Sequence, residues 1–203
     1  MRIDKGYTLI ELLVTISIFI IISTVGLVSF LRHRQATDLD SSVSELSSNI
    51  RKVQGYTRSG RGEGGLHPRA YGVSIDLDTN DSYILYADAD ELPGFDPSTY
   101  CYACYGEADV LIDDYSLLNN TTLDAINITG LATIADITKV YLVFIVPTSE
   151  LKIVYEDPDA GGFVSYEVPG EKEVRITVKH LKSEDTKTVK VTGGAFGGVT
   201  VEE

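Results

Sequence analysis

The feature that constrains this chain most is a long uncharged apolar segment close to its first residue. A short polar stretch ends at Gly6, residues 7–11 follow, and residues 12–31 then carry no charge at all. As a helix rising about 1.5 Å per residue, that segment extends roughly 30 Å, which is the thickness of the hydrocarbon core of a bilayer. It is therefore long enough to cross a membrane once.

The composition of this segment favours insertion into lipid. Fourteen of its 20 residues are Leu, Ile, Val or Phe, which together favour insertion by roughly 4 to 8 kcal/mol. Glu11 lies at the border of the segment, where a charge costs less than at the membrane centre and where a cationic partner would offset that cost. If the chain is cut after Gly6, the new amino group of Tyr7 is such a cation.

A secretory signal and a plain signal anchor are two other interpretations. A secretory signal has a short apolar region followed by a cleavage site with small residues, and it is removed whole. Here the apolar run is longer and no such site follows it. A plain anchor explains the span but leaves Gly6 and Glu11 without a role. The pattern therefore favours a cut after Gly6, ahead of the apolar segment.

Residues 6–14, GYTLIELLV, resemble the class III signal of type IV pilins and type II secretion pseudopilins. The resemblance covers about the first 30 residues. It implies that prepilin peptidase cuts after Gly6 and methylates the new N-terminus at Tyr7, and that Glu11 guides assembly. Tyr7 departs from the Phe that usually begins the mature chain, and the helix-kinking Pro of many major pilins is absent.

This resemblance implies a structural subunit of a type IV pilus or type II secretion filament, not an enzyme. The subunit would be held by one span in the cytoplasmic membrane with its head outside, and would later enter an extracellular or periplasmic filament. Its partners would be prepilin peptidase, other subunits and, before assembly, membrane lipid. Residues 69–75 and 83–88 also resemble H-type minor pseudopilins. A membrane-anchored binding or adhesion domain is the alternative from another class.

Beyond the apolar segment the helix is predicted to continue to Gln54. Apolar residues recur at spacings of three and four, which predicts one buried stripe along the helix; they are Ala36, Leu39, Val43, Leu46, Ile50 and Val53. Gly55 and the Gly-rich residues 60–65 are predicted to end the helix.

From residue 70 onward, β-branched and aromatic runs separated by turn residues predict antiparallel strands. These runs are 71–77, 82–86, 110–116, 123–129, 140–146, 151–155, 174–179, 188–191 and 199–201. The predicted fold class is α+β, with a long N-terminal helix packed by its second half on an antiparallel β-sheet head. The predicted organisation is a leader (1–6), a membrane or filament-core helix (7–31), an amphipathic helix (32–55), a Gly-rich linker (56–69) and a head (70–203).

The formal net charge of −13 argues against broad affinity for nucleic acid, because neutralising phosphates requires clustered Lys and Arg. One group of lysines near the C-terminus could be an exception; its members are Lys179, Lys182, Lys187 and Lys190. Nearby Glu171, Glu173, Glu184 and Asp185 dilute that group, so the pattern favours ordinary solvated strand faces.

Cys101 and Cys104 form a C-x-x-C pair, which is compatible with a disulfide, free thiols or a metal site. An oxidising exterior favours the disulfide, whereas zinc would need two further ligands.

Two acidic stretches raise the question of calcium. Asp76, Asp78 and Asn80 have the spacing of an EF-hand loop start but lack its Gly and closing Glu, so a hairpin turn is predicted there. Asp88, Asp90, Glu91 and Asp96 form a second cluster, where Ca²⁺ could gather carboxylates from an irregular loop. Solvated acidic side chains are the other interpretation, and the more usual one.

Catalytic motifs do not emerge from the sequence. His33, His67 and His180 have no recognisable nucleophile partner, and neither a phosphate-binding Gly-rich loop before a helix nor a zincin spacing is present. We therefore expect no enzymatic activity.

Overall fold

One helix, α1, runs from Leu9 to Ser59. The structure is a computed structural model that describes residues 8–60, 62, 67–79, 81–88, 109–118, 120–129, 137–148, 150–157, 162–167, 173–193 and 198–202. The chain divides into two compact units, Met1–Thr37 and Asp38–Glu203. The helix begins in the first unit and ends in the second.

The part of α1 in the second unit is amphipathic, as its spacing predicts. Its inward stripe is almost completely removed from solvent, with exposures of 2% or less; the stripe consists of Leu39, Val43, Leu46, Ile50 and Val53. The prediction that Ala36 belongs to this stripe is wrong, because Ala36 lies in the first unit and is exposed. Burial therefore begins at Leu39.

The helix ends five residues later than the predicted end at Gln54. Gly55 is exposed and stays helical, because the next turn gains contacts of its own. The ring of Tyr56 lies 5.7 Å from that of Tyr71, and Thr57 is fully buried with its hydroxyl donating to the Gln54 carbonyl. Gly60 then adopts a positive φ of 58°, the left-handed conformation that commonly terminates a helix.

Ten strands follow in the described part of the chain. They are β1 (Ala70–Asp76), β2 (Ser82–Asp88), β3 (Val110–Ser116), β4 (Thr121–Ile128), β5 (Lys139–Ile145), β6 (Glu150–Asp157), β7 (Gly162–Glu167), β8 (Glu173–His180), β9 (Thr186–Thr192) and β10 (Val199–Glu202). All nine predicted strands are present, with ends shifted by at most two residues. The tenth, β7, was missed because its short run lies among Gly-rich and acidic turn residues, which predict only a loop.

The strands form two antiparallel sheets. One has six strands in the order β3-β2-β1-β5-β6-β7, and the other has four in the order β10-β9-β8-β4. Both sheets contribute to one apolar cluster with the inward stripe of α1. The α+β class, with the second half of the helix packed on antiparallel sheets, is confirmed.

The six-stranded sheet is buried on both faces near its centre. Alternate residues of β1 face the main cluster, namely Tyr71, Val73 and Ile75. The opposite face carries a second buried cluster, which consists of Ala70, Tyr86, Tyr141, Val143 and Val154. Strand β1 therefore lacks the polar outer face of a half-exposed strand, which is consistent with its central place in the sheet.

Gly72 is required at the centre of β1 because the ring of Tyr86 lies where a side chain would project. Gly72 and Tyr86 are directly opposed across the β1–β2 pair. A Cβ atom built on Gly72 would overlap the far end of the Tyr86 ring and its hydroxyl oxygen. The missing side chain thus provides the space that a fully buried tyrosine fills.

Polar side chains also attach the helix to the six-stranded sheet. The Asn49 amide donates to the Tyr83 hydroxyl at 2.8 Å, and Lys52 Nζ donates to the Tyr115 hydroxyl at 3.0 Å. The rings of Tyr83 and Tyr115 stack at 5.5 Å with an interplanar angle of 13°. Burial raises the pKa of the Tyr83 phenol, whereas the hydrogen bond to Tyr115 raises the pKa of the Lys52 ammonium.

A second set of polar contacts attaches α1 to the four-stranded sheet. The Ser42 and Thr121 hydroxyls lie 2.9 Å apart, and both are buried. Arg51 donates to the Val199 carbonyl at 2.6 Å. Because these contacts lie on different turns of the helix, they fix both its rotation and its position along the sheet.

Gly72→Ala tests the space around Tyr86. The added methyl group cannot fit unless the ring moves, so we expect the free energy of unfolding of the full chain to fall by about 1 to 3 kcal/mol. Gly55→Ala is the control, since nothing lies within 4 Å of its Cβ position; this helical change should stabilise by roughly 0.5 to 1 kcal/mol. Denaturant unfolding in detergent measures both, and equal effects at the two glycines would contradict this account.

Tyr83→Phe tests the buried hydrogen bond to Asn49. The substitution leaves a buried amide without its acceptor, so stability should fall by about 1 to 3 kcal/mol. Tyr115→Phe should cost less, about 0 to 1 kcal/mol, because Lys52 remains partly in water. The denaturant midpoints of the two variants measure which one loses more stability. A larger loss of stability in Tyr115→Phe than in Tyr83→Phe would contradict the prediction.

Candidate functional site

The candidate site is the beginning of α1 together with its apolar segment. Gly6 and Tyr7, at the predicted cleavage point, lie outside the described residues. Thr8 is described and immediately precedes the helix, and Glu11 lies in its first turn.

Thr8 and Glu11 form a reciprocal set of hydrogen bonds. The backbone N–H and the hydroxyl of Thr8 both donate to Glu11 Oε2, each at 2.9 Å. The backbone N–H of Glu11 donates back to Thr8 Oγ1 at 3.3 Å. This arrangement is a capping box, which satisfies backbone N–H groups that have no partner within the helix. It explains why the helix begins at Leu9.

The role of Thr8 was missed in the sequence, although a signal for it was present. A Thr followed three residues later by Glu, just before an apolar run, is the capping-box pattern. The resemblance implies a role in assembly for Glu11 and none for Thr8. The structure brings Glu11 together with a neighbour along its own chain.

The apolar segment after Glu11 is exposed in the described part of the chain. Its large hydrophobic side chains are between 47% and 72% exposed from Leu12 to Leu31. The helix contains an 18-residue window with a mean hydropathy of 2.5, none of it buried, and is long and apolar enough to cross a membrane. Such a surface in water would be strongly unfavourable, so another apolar medium must cover it.

Three hydroxyl groups within this segment are compatible with an apolar surrounding. Thr15, Ser17 and Thr24 each donate a hydrogen bond to a carbonyl three or four residues earlier in the helix, at 2.8 to 2.9 Å. A hydroxyl bonded in this way does not present an unsatisfied donor to lipid or to a neighbouring helix.

The predicted metal cluster is only partly described. Asp88 ends β2 and is buried, whereas Asp90, Glu91 and Asp96 lie outside the described residues. Among the described residues, no group of three or more His, Cys, Asp or Glu side chains could hold a metal ion. Calcium binding at the predicted cluster stays a prediction, as does the disulfide between Cys101 and Cys104, which also lie outside the described part.

Asp78 lies in the turn between β1 and β2, as predicted, while Asn80 lies outside the described residues. Asp76 ends β1, and its carboxylate accepts a hydrogen bond from the Asp78 backbone N–H at 2.9 Å. The other carboxylate oxygen of Asp76 lies 3.2 Å from Lys139 Nζ. Asp76 is therefore used in the turn and in an ion pair.

The two lysines of β9, Lys187 and Lys190, pair with acidic side chains. Glu173 forms ion pairs with Lys190 and with Arg175, the latter at 2.7 Å. Lys187 pairs with Asp40 of the helix at 2.7 Å. The hydrogen bond from Lys190, with the nearby Arg175, lowers the pKa of the Glu173 carboxyl. These pairs support the interpretation of a mixed-charge strand face over a cationic nucleic-acid site.

The histidines lie far apart in the sequence and in different surroundings. His33 and His67 are exposed, whereas His180 is buried at the end of β8. Its Nδ1 accepts hydrogen bonds from the Lys182 and Ser183 backbone N–H groups, which ties the β8–β9 turn to the strand. The Nε2 atom is buried without a partner among the described residues. The His180 side chain therefore stabilises the β8–β9 turn, and its ring is not accessible to act as a base.

Comparison with known protein families finds a match at the N-terminus. Residues 1–27 match the model of the prokaryotic N-terminal methylation motif. No curated protein matches the chain, and no solved structure matches it. The matched range includes the predicted cleavage point, the capping box and most of the apolar segment, while the head has no counterpart in these comparisons. The chain therefore carries the N-terminal methylation motif, which is the prepilin signal of type IV pilins and pseudopilins.

Proposed function

We propose that this chain is a structural subunit of a type IV pilus or a type II secretion filament. In this proposal prepilin peptidase cuts after Gly6 and the new N-terminus at Tyr7 is methylated. Before assembly the subunit is anchored in the cytoplasmic membrane by a single span, with its head outside the cytoplasm. It then assembles into the filament through α1. The observation that carries the proposal is an apolar helical segment that begins within the methylation motif and that the described residues leave exposed.

The exposed apolar segment supports assembly on physical grounds. Lipid covers this surface before assembly, and the same segments of neighbouring copies can cover it in a filament. Because lipid tails are about as apolar as Leu, leaving the bilayer is favourable only if helices pack closely and polar groups find partners. Transfer from lipid to a bundle of copies therefore needs a specific contact in addition to apolar burial.

Glu11 is the residue best suited to supply that contact. A carboxylate at the border of an apolar bundle is costly unless a cation approaches it. In the proposed filament, the amino group of Tyr7 on a neighbouring mature chain is that cation. Cleavage after Gly6 would therefore create the partner of Glu11, which links processing to assembly.

The head supports the role of a structural subunit over that of a catalyst. Its main buried cluster is apolar, and the described carboxylates of Asp76 and Glu173 take part in a turn and in ion pairs. We propose that the head lies outside the membrane before assembly and on the filament surface afterwards. H-type minor pseudopilin identity stays a prediction from residues 69–75 and 83–88.

Gly6→Leu should leave an uncleaved precursor in the membrane, because a bulky residue would replace the small one before the proposed cut. Gly26→Ala is the control: it lies within the span with nothing within 4 Å of its Cβ position, so cleavage should be normal. Intact-mass measurement of membrane-purified protein separates precursor from product. Normal processing of Gly6→Leu would contradict the proposed cleavage, and a membrane-anchored binding domain would then be favoured.

Glu11→Gln and Glu11→Ala separate the charge from the helix cap. Glutamine can still accept the hydrogen bonds of the capping box, whereas alanine cannot. If the charge is what assembly needs, both variants should be cleaved normally and both should enter filaments at least tenfold less than the wild type. Sheared filaments quantified by immunoblot give the comparison. Normal assembly of Glu11→Gln would show that the charge is not required.

A further inference from the structure

Glu11 uses its two carboxylate oxygens differently. Both Thr8 donors, the backbone N–H and the hydroxyl, bind the same oxygen, Oε2. Within the described part of the chain, Oε1 accepts no hydrogen bond and neither oxygen is in an ion pair. One oxygen is therefore held by the helix start, and the other is available to a partner.

The Thr8 hydroxyl is itself held in one position. It donates to Glu11 Oε2 and accepts from the Glu11 backbone N–H at the same time. A hydroxyl with both roles fixed restricts the rotation of the side chain that it binds. A glutamate side chain that rotates freely loses conformational entropy when it binds a cation. A glutamate side chain that is already held by hydrogen bonds loses less entropy, so binding costs less.

Other nearby side chains do not offer the same contact. Residues 9–14 are all apolar apart from Glu11. Thr15 is the next residue with a hydroxyl, and it donates to the Leu12 carbonyl. Among the described residues, Thr8 is thus the side chain that bonds to the carboxylate.

We infer that Thr8 is a positioning residue for assembly: it holds Oε2 of Glu11 and leaves Oε1 for a cation on a neighbouring copy of the chain. This inference rests on the proposed function, in which that cation is the amino group of a mature N-terminus. The same two donors partly replace the water that the carboxylate loses at the border of the membrane. Thr8 therefore acts through Glu11 in addition to capping the helix.

Thr8→Val and Thr8→Ser test the inference, because valine keeps the shape of threonine and removes the hydroxyl, whereas serine keeps the hydroxyl. Both should be cleaved normally, as measured by intact mass. Thr8→Val should enter sheared filaments roughly five- to tenfold less than the wild type, the factor expected for losing a hydrogen bond to the carboxylate. Thr8→Ser should stay within about twofold.

The same substitutions in a Glu11→Gln background separate positioning from capping. Glutamine keeps the capping box without the charge, so a capping effect of Thr8→Val should persist in that background, whereas the positioning effect should vanish. We expect little further loss from Thr8→Val there. An equal loss in both backgrounds, or normal assembly of Thr8→Val with Glu11 intact, would overturn the inference.

A spectroscopic measurement covers the case in which assembly is too weak to quantify. The carboxyl ¹³C resonance of Glu11 in detergent micelles should move in Thr8→Val and stay in place in Thr8→Ser. An unmoved resonance in Thr8→Val would overturn the inference irrespective of filaments. Wild-type protein that is never cleaved or never enters filaments would instead defeat the proposed function, so the two failures are distinguishable.

Discussion

The rest of this structure depends on one constraint, which is that residues 12–31 form an apolar helix whose surface stays exposed among the described residues. A soluble domain normally buries such a surface in its own core. Here the surface needs lipid or other protein molecules. The functional proposals follow from that requirement, because a helix that must be covered from outside is suited first to a membrane and then to a filament.

The second part of the same helix is, in contrast, buried on one side by the strands of the head. From Leu39 to Val53 its apolar residues are buried against two sheets, and its polar residues reach Tyr83, Thr121 and other strand groups. The two parts differ in pattern: the first is apolar on all faces, whereas the second is apolar on a single stripe. The distribution of apolar residues around the helix axis thus distinguishes the exposed first part of the helix from the second part, whose apolar stripe is buried in the head.

The apolar segment, the buried stripe of the helix and the strands could be predicted because each depends on residues that are close together in the sequence. The length of the apolar run, the spacing of Leu39, Val43 and Leu46, and the β-branched runs of the head each indicate an element from neighbouring residues alone. Nine strands were located in this way. The hairpin turn at Asp76 was predicted for the same reason, since turn residues interrupt two strand patterns.

Other features depend on contacts that the sequence order does not specify. The pairing of β1 with β5 places far-separated segments side by side, and the clash that requires Gly72 involves a ring on another strand. The helix continues past Gly55 because Tyr56 and Thr57 find partners in the head. Thr8 is different, since its pattern with Glu11 is local and was overlooked in favour of the charge alone.

The central claim is that the apolar helix becomes a filament core only after the leader has been removed. The most direct test is intact-mass and N-terminal analysis of the wild-type protein recovered from purified, sheared filaments. The account predicts a chain that begins at Tyr7 and carries one N-terminal methyl group. A chain in the filament that still begins at Met1, or a processed chain found only in the membrane, would contradict it.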